Sequence, residues 1–338
     1  MRFRCISKSW YSRIASPDFI RKHRLRSSQK VLIRRYSNYH WRDDVKDLYR
    51  LLSVDQFPLY PGLEYFDTPT TKFPCNLPKI VNSCNGIFCL RDYKVGISLW
   101  NPSIRRKLTI PNQPFIVKSF RGRRLAVGMG FDPISNDYKI VRICYFDYQE
   151  IVESSLVYSM KTCAWSSIAS PATTFDHVNS RACFVNGVLH WVAFRWMGDS
   201  LEHHIMTFNL STHVFGKIML RNPMWITSKI AIIDGCLSVY ADENKDTCCI
   251  LVMKEYGNVA SWDVLLRMKC GKGYEGIKRV MQLNNTGYFL ITYFGGGLEV
   301  YNPKTELRFA LFDTKLYKVF TETCLESLEL LDSGEVVS

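Results

Sequence analysis

A unit of about 50 residues recurs along this 338-residue chain, and it limits the available folds more than any other feature. Each unit ends an apolar run on an aromatic residue, turns through Asn, Ser, Pro or Thr, and begins another apolar run. The copies are Trp100-Asn101-Pro102-Ser103, Tyr158-Ser159-Met160-Lys161-Thr162, Phe208-Asn209-Leu210-Ser211-Thr212 and Tyr301-Asn302-Pro303-Lys304-Thr305. The last gap is about twice the others, so a diverged copy is expected near 250–260, where Lys254-Glu255-Tyr256-Gly257-Asn258 leads to Trp262. Tyr49 lies one period before Trp100. Ahead of the turn units, strands are entered through glycine turns at Asn85-Gly86, Asn186-Gly187, Asp234-Gly235 and Thr286-Gly287.

The runs between these turns are short and rich in Val, Ile, Leu, Phe, Tyr and Trp, as in Tyr138-Lys139-Ile140-Val141-Arg142-Ile143 and Gly187-Val188-Leu189-His190-Trp191-Val192. They have strand length, and no long amphipathic helix separates them. Four short strands in 40–50 residues is the size of a β-propeller blade. One blade cannot bury both of its faces, whereas a ring of blades buries each against a neighbour. The fold expected over 31–330 is therefore all-β, a propeller of about six blades; a β-sandwich is the alternative.

The first 26 residues read differently. Phe3, Ile6, Trp10 and Ile14 recur at helical spacing. Ser16-Pro17-Asp18 has the chemistry of a new helix start, with Ser as the cap, Pro in the first turn and an acid beside the positive end of the dipole. The formal charge is +13, but 14 Lys/Arg against 4 Asp/Glu in residues 1–50 supply +10 of it, and residues 104–124 carry seven cations and no acid. The rest sums to −4, and residues 321–338 hold five acids with no Lys or Arg. That distribution describes a basic head, one basic loop around Arg121-Gly122-Arg123-Arg124 and an acidic tail at 331–338. It does not describe a surface that wraps nucleic acid. No apolar run reaches membrane-spanning length and no leader pattern opens the chain, so cytoplasm or nucleus is the expected location.

No motif carries catalysis. The twelve cysteines contain no C-x-x-C pair and read as small core hydrophobes, with no structural metal expected. His203-His204 would point to opposite faces of a strand and is assigned to a polar loop; His190 reads as a core histidine. Gly295-Gly296-Gly297 reads as a tight turn, and Gly128-Met129-Gly130-Phe131 lacks the context of a dinucleotide site. Asp132, Asp137 and Asp147 sit near turns. In Trp191-Val192-Ala193-Phe194-Arg195-Trp196 a core strand with one rim residue is expected. No cofactor is called for. A glycan-acting propeller enzyme is disfavoured by the absence of Ser-x-Asp-x-Gly-x-x-Trp turns.

Arg2-Phe3-Arg4-Cys5-Ile6-Ser7-Lys8-Ser9-Trp10, followed by Ile14-Ala15-Ser16-Pro17-Asp18-Phe19, resembles the second half of a plant F-box. The remainder resembles the F-box-associated, kelch-like interaction domain. The segments that carry this include Asn82 to Leu90, Leu99-Trp100-Asn101-Pro102-Ser103, and Gly130-Phe131-Asp132-Pro133 through Asp137-Tyr138-Lys139-Ile140-Val141. Val185 to Trp191, Val252-Met253-Lys254-Glu255-Tyr256-Gly257 and Glu326-Ser327-Leu328 continue the series in family order. The regular Gly-Gly and Tyr-Trp spacing of true kelch repeats is missing. The resemblance implies a partial F-box over 1–30 ahead of the propeller, in a non-enzymatic substrate-recognition subunit of an SCF-type ubiquitin ligase. Such a subunit docks a Skp-type adaptor and, through it, a cullin scaffold, and holds a target protein for ubiquitination. Phe3, Cys5, Lys8, Trp10 and Ile14 are expected to meet the adaptor; Arg121, Arg123 and Arg124 are the candidates for target contact. Met1 falls inside the F-box's second helix, so fewer apolar anchors and weaker docking are expected. The alternative is a standalone propeller that binds protein without the adaptor.

Overall fold

The computed structural model describes residues 7–36, 47–56, 71–74, 78–92, 96–111, 123–147, 151–172, 175–179, 181–220, 228–244, 246–269, 276–283, 286–312, 318–330 and 332–337. Two helices lead, α1 (Lys8–Ala15) and α2 (Pro17–Arg26). Ser7 caps α1 by accepting from the Trp10 N–H, and Ser16 caps α2 by accepting from the Phe19 N–H, as the Ser-Pro-Asp pattern predicts.

Six antiparallel sheets follow, in a ring of six blades. Blade one is closed by both ends of the chain. Its inner strand is Lys318–Leu325, paired along its full length with Gln29–Tyr36, and Leu48–Ser53 and Thr71–Lys72 complete it. Joining the last inner strand to the first strand of the chain removes the open edges that would otherwise flank the ring. Blades two to six open on inner strands beginning at Lys79, Arg123, His177, Lys229 and Ile277. Blade four's inner strand is broken into His177–Val178 and Cys183–Val185. Blade two gains a fifth, outermost strand from the tail, where Glu335–Val336 pairs with Lys107 and Arg106.

The repeat has a local cause. Asn101, Asn209 and Asn302 each accept, through Oδ1, a backbone N–H two residues ahead, at 2.9 Å in all three. Four residues past each Asn the chain turns left-handed, at Arg105, His213 and Glu306. Blade three builds the same turn with Ser159 and Cys163. The diverged fifth copy also forms, with Asn258 accepting from the Ala260 N–H at 3.0 Å. Tyr49 departs from the pattern, since it stands near the start of its strand rather than the end.

Apolar layers fill every joint of the ring: blades two, three and four share one cluster, and separate clusters join one to two, four to five, five to six and six to one. Trp100 anchors the first joint, fully buried, with Tyr49, Phe73 and Phe88 rings 4.8, 4.9 and 5.6 Å from its own. The joints also carry polar staples. Asn82 in blade two exchanges both of its amide bonds with the Met129 backbone of blade three, and Trp191 in blade four donates to Val127 O at 3.1 Å. Gly128 and Gly130 allow this approach. A Cβ at Gly128 would lie 2.7 Å from the Trp191 ring, and one at Gly130 2.4 Å from Phe184.

Two readings are corrected. Arg123 and Arg124 are not loop residues; they begin the inner strand Arg123–Asp132, because Leu125-Ala126-Val127 continue it into the core. His203 and His204 are not in a polar loop but in the strand Ser200–Asn209, at 3% and 0% exposure. They do face opposite ways, but both faces of a blade are covered by its neighbours. No ring nitrogen of either has a hydrogen-bond partner among the described residues. Burial holds the His204 imidazolium down to about 4 and lowers His203 as well. His190 is a core histidine, bonded to the Tyr256 hydroxyl at 2.8 Å and lowered by burial to about 4.

Candidate protein-docking faces

The helical head stands on the end of the ring where the glycine and asparagine turns lie. Arg24 of α2 pairs with Glu329 at 2.8 Å, reaches the Tyr138 hydroxyl at 3.4 Å and lies over the Phe131 ring. Tyr11 of α1 donates to Asp332 at 3.0 Å. The chain after blade one runs beneath this end and is clamped there, with Asn101 Nδ2 donating to Ser327 O and Glu329 O. Gly86 admits that passage: it sits at φ +82°, and a Cβ there would come within 2.4 Å of Leu325 O.

Neither helix buries a single residue. Trp10, Tyr11, Phe19 and Leu25 are 47%, 48%, 38% and 72% exposed, Lys8 is exposed and Ile14 half-buried. A helix of this length draws its stability from packing an apolar face, and here that face is open. The structure thus gathers Lys8, Trp10 and Ile14 on one short helix; Phe3 and Cys5 lie outside the described residues.

The turn Asp132 to Asp137 beside the head is locked from within. Asp132, 1% exposed, pairs with Lys139 at 2.8 Å and accepts from Ser135, Ser211 and the Ile134 N–H. Burial alone would raise its pKa; these donors outweigh that and hold the carboxyl well below the usual range. Lys139 also donates to Leu210 O, tying blade three to blade four. The Phe-Asp-Pro and Asp-Tyr-Lys motifs are therefore structural.

Arg124 occupies the other end of the ring. Eight residues of strand separate it from Asp132, about 26 Å at roughly 3.3 Å each. It pairs with Asp147 at 2.6 Å, and His177 Nδ1 meets the same carboxylate at 2.7 Å. Arg121 lies outside the described residues, as does the Arg123 side chain. The hairpin end of blade four projects Trp196 and Met197 here, 46% and 50% exposed, and blade six projects Phe294, 43% exposed. Trp196 is the rim residue expected of its strand. Phe294 was signalled only by the glycine turn that follows it, at Gly295 and Gly296 with φ +92° and +108°.

Between the two ends the central channel is crossed by charge. Arg181, in the break of blade four's inner strand, reaches the Glu322 carboxylate on the opposite blade one. Arg279 of blade six grips the same carboxylate with both guanidinium nitrogens, one at 2.9 Å. Both guanidiniums lie over Phe320, at 4.9 and 5.5 Å. Among the described residues no group of three or more His, Cys, Asp and Glu is placed to hold a metal, and no helix is long and apolar enough to cross a membrane. Burial pushes the thiols of Cys84, Cys89, Cys183 and Cys324 up to about 12, which fits core packing rather than reactivity.

Sequence comparison with known proteins agrees with this architecture. Residues 53–265 match the family model described as the F-box associated beta propeller domain. The chain is 26% identical over 324 residues to an F-box/kelch-repeat protein of Arabidopsis thaliana, covering 89% of this chain and 82% of that one. It is 25% identical over 323 residues to the F-box protein CPR1 of the same plant, covering 85% and 76%. Among solved structures, hydrazine synthase of Kuenenia stuttgartiensis matches with a TM-score of 0.49 at 9% identity, over 89% of this chain and 47% of that one. The six-bladed ring, its helical head and the matched family together place this chain among the plant F-box proteins that carry an F-box associated beta-propeller domain.

Proposed function

We propose that the chain is the substrate-recognition subunit of an SCF-type ubiquitin ligase. In this reading it docks a Skp-type adaptor, and through it a cullin, by the helical head, and holds a target protein at the far end of the ring. The observation that carries this is the open apolar face of α1 and α2, standing on one end of a ring whose opposite end presents its own exposed aromatics and cations. The work is done by proximity: a bound target is held at raised effective concentration near the ubiquitin-loaded enzyme, and the chain supplies no reacting group. Lys8, Trp10 and Ile14, with Phe3 and Cys5 ahead of them, form the adaptor contact; Arg124, with Arg121 and Arg123 beside it in sequence, belongs to the target face. The cytoplasm or nucleus is the compartment this function needs.

The test is capture of a purified Skp-type adaptor by the full chain. Trp10→Ala combined with Ile14→Ala is expected to weaken capture at least about tenfold, since truncating a buried aromatic anchor costs roughly 2 kcal/mol or more. The melting temperature should stay unchanged, because neither residue is buried in the ring. Capture that is absent, or indifferent to the substitutions, favours the standalone propeller.

A further inference from the structure

The inner strands begin around one opening, at the end of the ring away from the helical head. In sequence order they open on Lys79, Arg123, His177, Lys229, Ile277 followed by Lys278, and Lys318. Lys79, Lys229 and Lys318 have no basic neighbour on either side in sequence, Lys278 is followed by Arg279, and ring closure brings all four to one rim. Among the described residues, four carboxylates toward this end are engaged. Glu322 is held by Arg181 and Arg279, Asp147 by Arg124 and His177, and Asp47 by Arg34, while Asp242 accepts from the Ile277 N–H.

Two of these lysines are held below their ordinary pKa, by desolvation first and by neighbouring cations second. Desolvation at the rim, with Arg91 and Arg181 nearby, brings the Lys79 ammonium down to about 8 although the residue as a whole reaches solvent. Burial, with Lys318, Arg181 and Arg34 nearby, does the same to Lys278. Lys229 and Lys278 lean onto carbonyls of the next blade, Ile277 O at 2.8 Å and Val319 O at 3.0 Å, which fixes their place on the rim. Lys79 and Lys318 are exposed.

We infer that this rim is the seat of an acidic peptide segment of the target, a stretch of Asp and Glu side chains laid across the channel mouth. Carboxylates suit it better than a phosphate group. The Arg181 and Arg279 guanidinium forks that would grip a phosphate are occupied by Glu322 and that of Arg124 by Asp147, whereas the exposed cations at the strand starts, Lys79 and Lys318, are point charges on separate blades. Such spacing answers several charges along an extended segment rather than one compact dianion. The inference rests on the proposed function in taking this end as the target face, and it adds the chemical class of what binds.

Fluorescence anisotropy of a labelled deca-glutamate peptide against the full chain tests it. Saturable binding that weakens with added salt is expected. The double variant Lys79→Glu/Lys318→Glu should weaken it about tenfold or more, from the loss and reversal of two partly screened pairs. Lys304→Glu makes the same kind of charge change at the exposed turn on the head's end and should stay within about twofold. Melting curves of the variants separate lost binding from lost fold. Absence of saturable binding, or an equal effect of Lys304→Glu, overturns the inference. So does tighter binding of an otherwise neutral phosphoserine peptide or of a single-stranded oligonucleotide. Adaptor capture is measured separately: peptide binding without adaptor capture keeps this site and removes the ligase reading, and the reverse removes only this site.

Discussion

Replacing Glu322 with alanine is expected to lower the melting temperature of the protein by on the order of 5–10 °C, the largest effect of any single substitution considered for this chain. The carboxylate is 7% exposed and is shared by Arg181 and Arg279, themselves 25% and 14% exposed. Removing it leaves two guanidiniums facing each other inside the channel with no counter-charge, a loss of about 3–5 kcal/mol for an interior pair. The variant Arg181→Met/Glu322→Leu/Arg279→Met deletes all three charges and is expected to recover most of that loss, because burying apolar groups of similar volume avoids the desolvation of the ions. Thermal unfolding of both variants decides it. A Glu322→Ala protein that melts with the wild type would mean that water already screens the triad and that it does not brace the ring.

Acidification from pH 6.5 to pH 4 is expected to destabilise the fold by roughly 3 kcal/mol for each of His190 and His204, in addition to what the carboxylates titrating in the lower part of that range contribute. Burial holds both imidazoles down to about 4, against about 6.5 in an unfolded chain. Between those values the unfolded state binds protons that the folded state refuses, so stability rises with pH across the window and falls as acid is added. His203 and His213 are shifted the same way, by burial first. Asp132 acts lower on the scale. Its folded pKa is depressed, so its contribution is complete above the ordinary carboxylate range and is lost only as pH falls beneath it. Urea unfolding midpoints at pH 7, 6, 5 and 4.5 measure the slope. His204→Leu should flatten it and raise stability at pH 7, since neither His204 ring nitrogen has a hydrogen-bond partner among the described residues. A midpoint that does not move between pH 6.5 and 4.5 would contradict the burial of these rings.

Much of the fold was legible because its signals are local. Ser16 caps its helix through a hydrogen bond from the N–H three residues on, so its position follows from the order Ser-Pro-Asp alone; the Ser7 cap of the first helix, made the same way, was not read from the sequence. Asn101, Asn209 and Asn302 fold their own turns, and Asn258 makes the same two-residue contact in blade five without the left-handed residue that follows the other three. The misreadings have one common cause. Period-two alternation marks a strand with one wet face, and a blade has none; His203 and His204 therefore looked like an exposed pair although both of their faces are covered. Arg123 and Arg124 looked like loop for the same reason: a charged start to a strand is invisible until the strand's neighbours are known.

The sequence by itself determined that the chain is a repeat of short strands behind a helical head, since periodicity, caps and turn chemistry act within a few residues; that the repeat closes into a ring rather than stacking as a sandwich was decided by the tertiary structure. It also located the clustered charge, +10 in residues 1–50 and seven cations between 104 and 124. It did not reveal the cations proposed for the far face, because Lys79, Lys229 and Lys318 each stand alone in sequence, Lys278 has only Arg279 beside it, and they sum with distant acids to a near-neutral body. Ring closure decides that. Six inner strands run the same way around one channel, so whatever residue begins each is carried to a common rim, where Asp47, Asp147 and Glu322 are held in ion pairs, while Asp132 and Glu329 are carried to the opposite end. Electrostatic potential depends on distance in space rather than along the chain, and only the closed ring sets those distances.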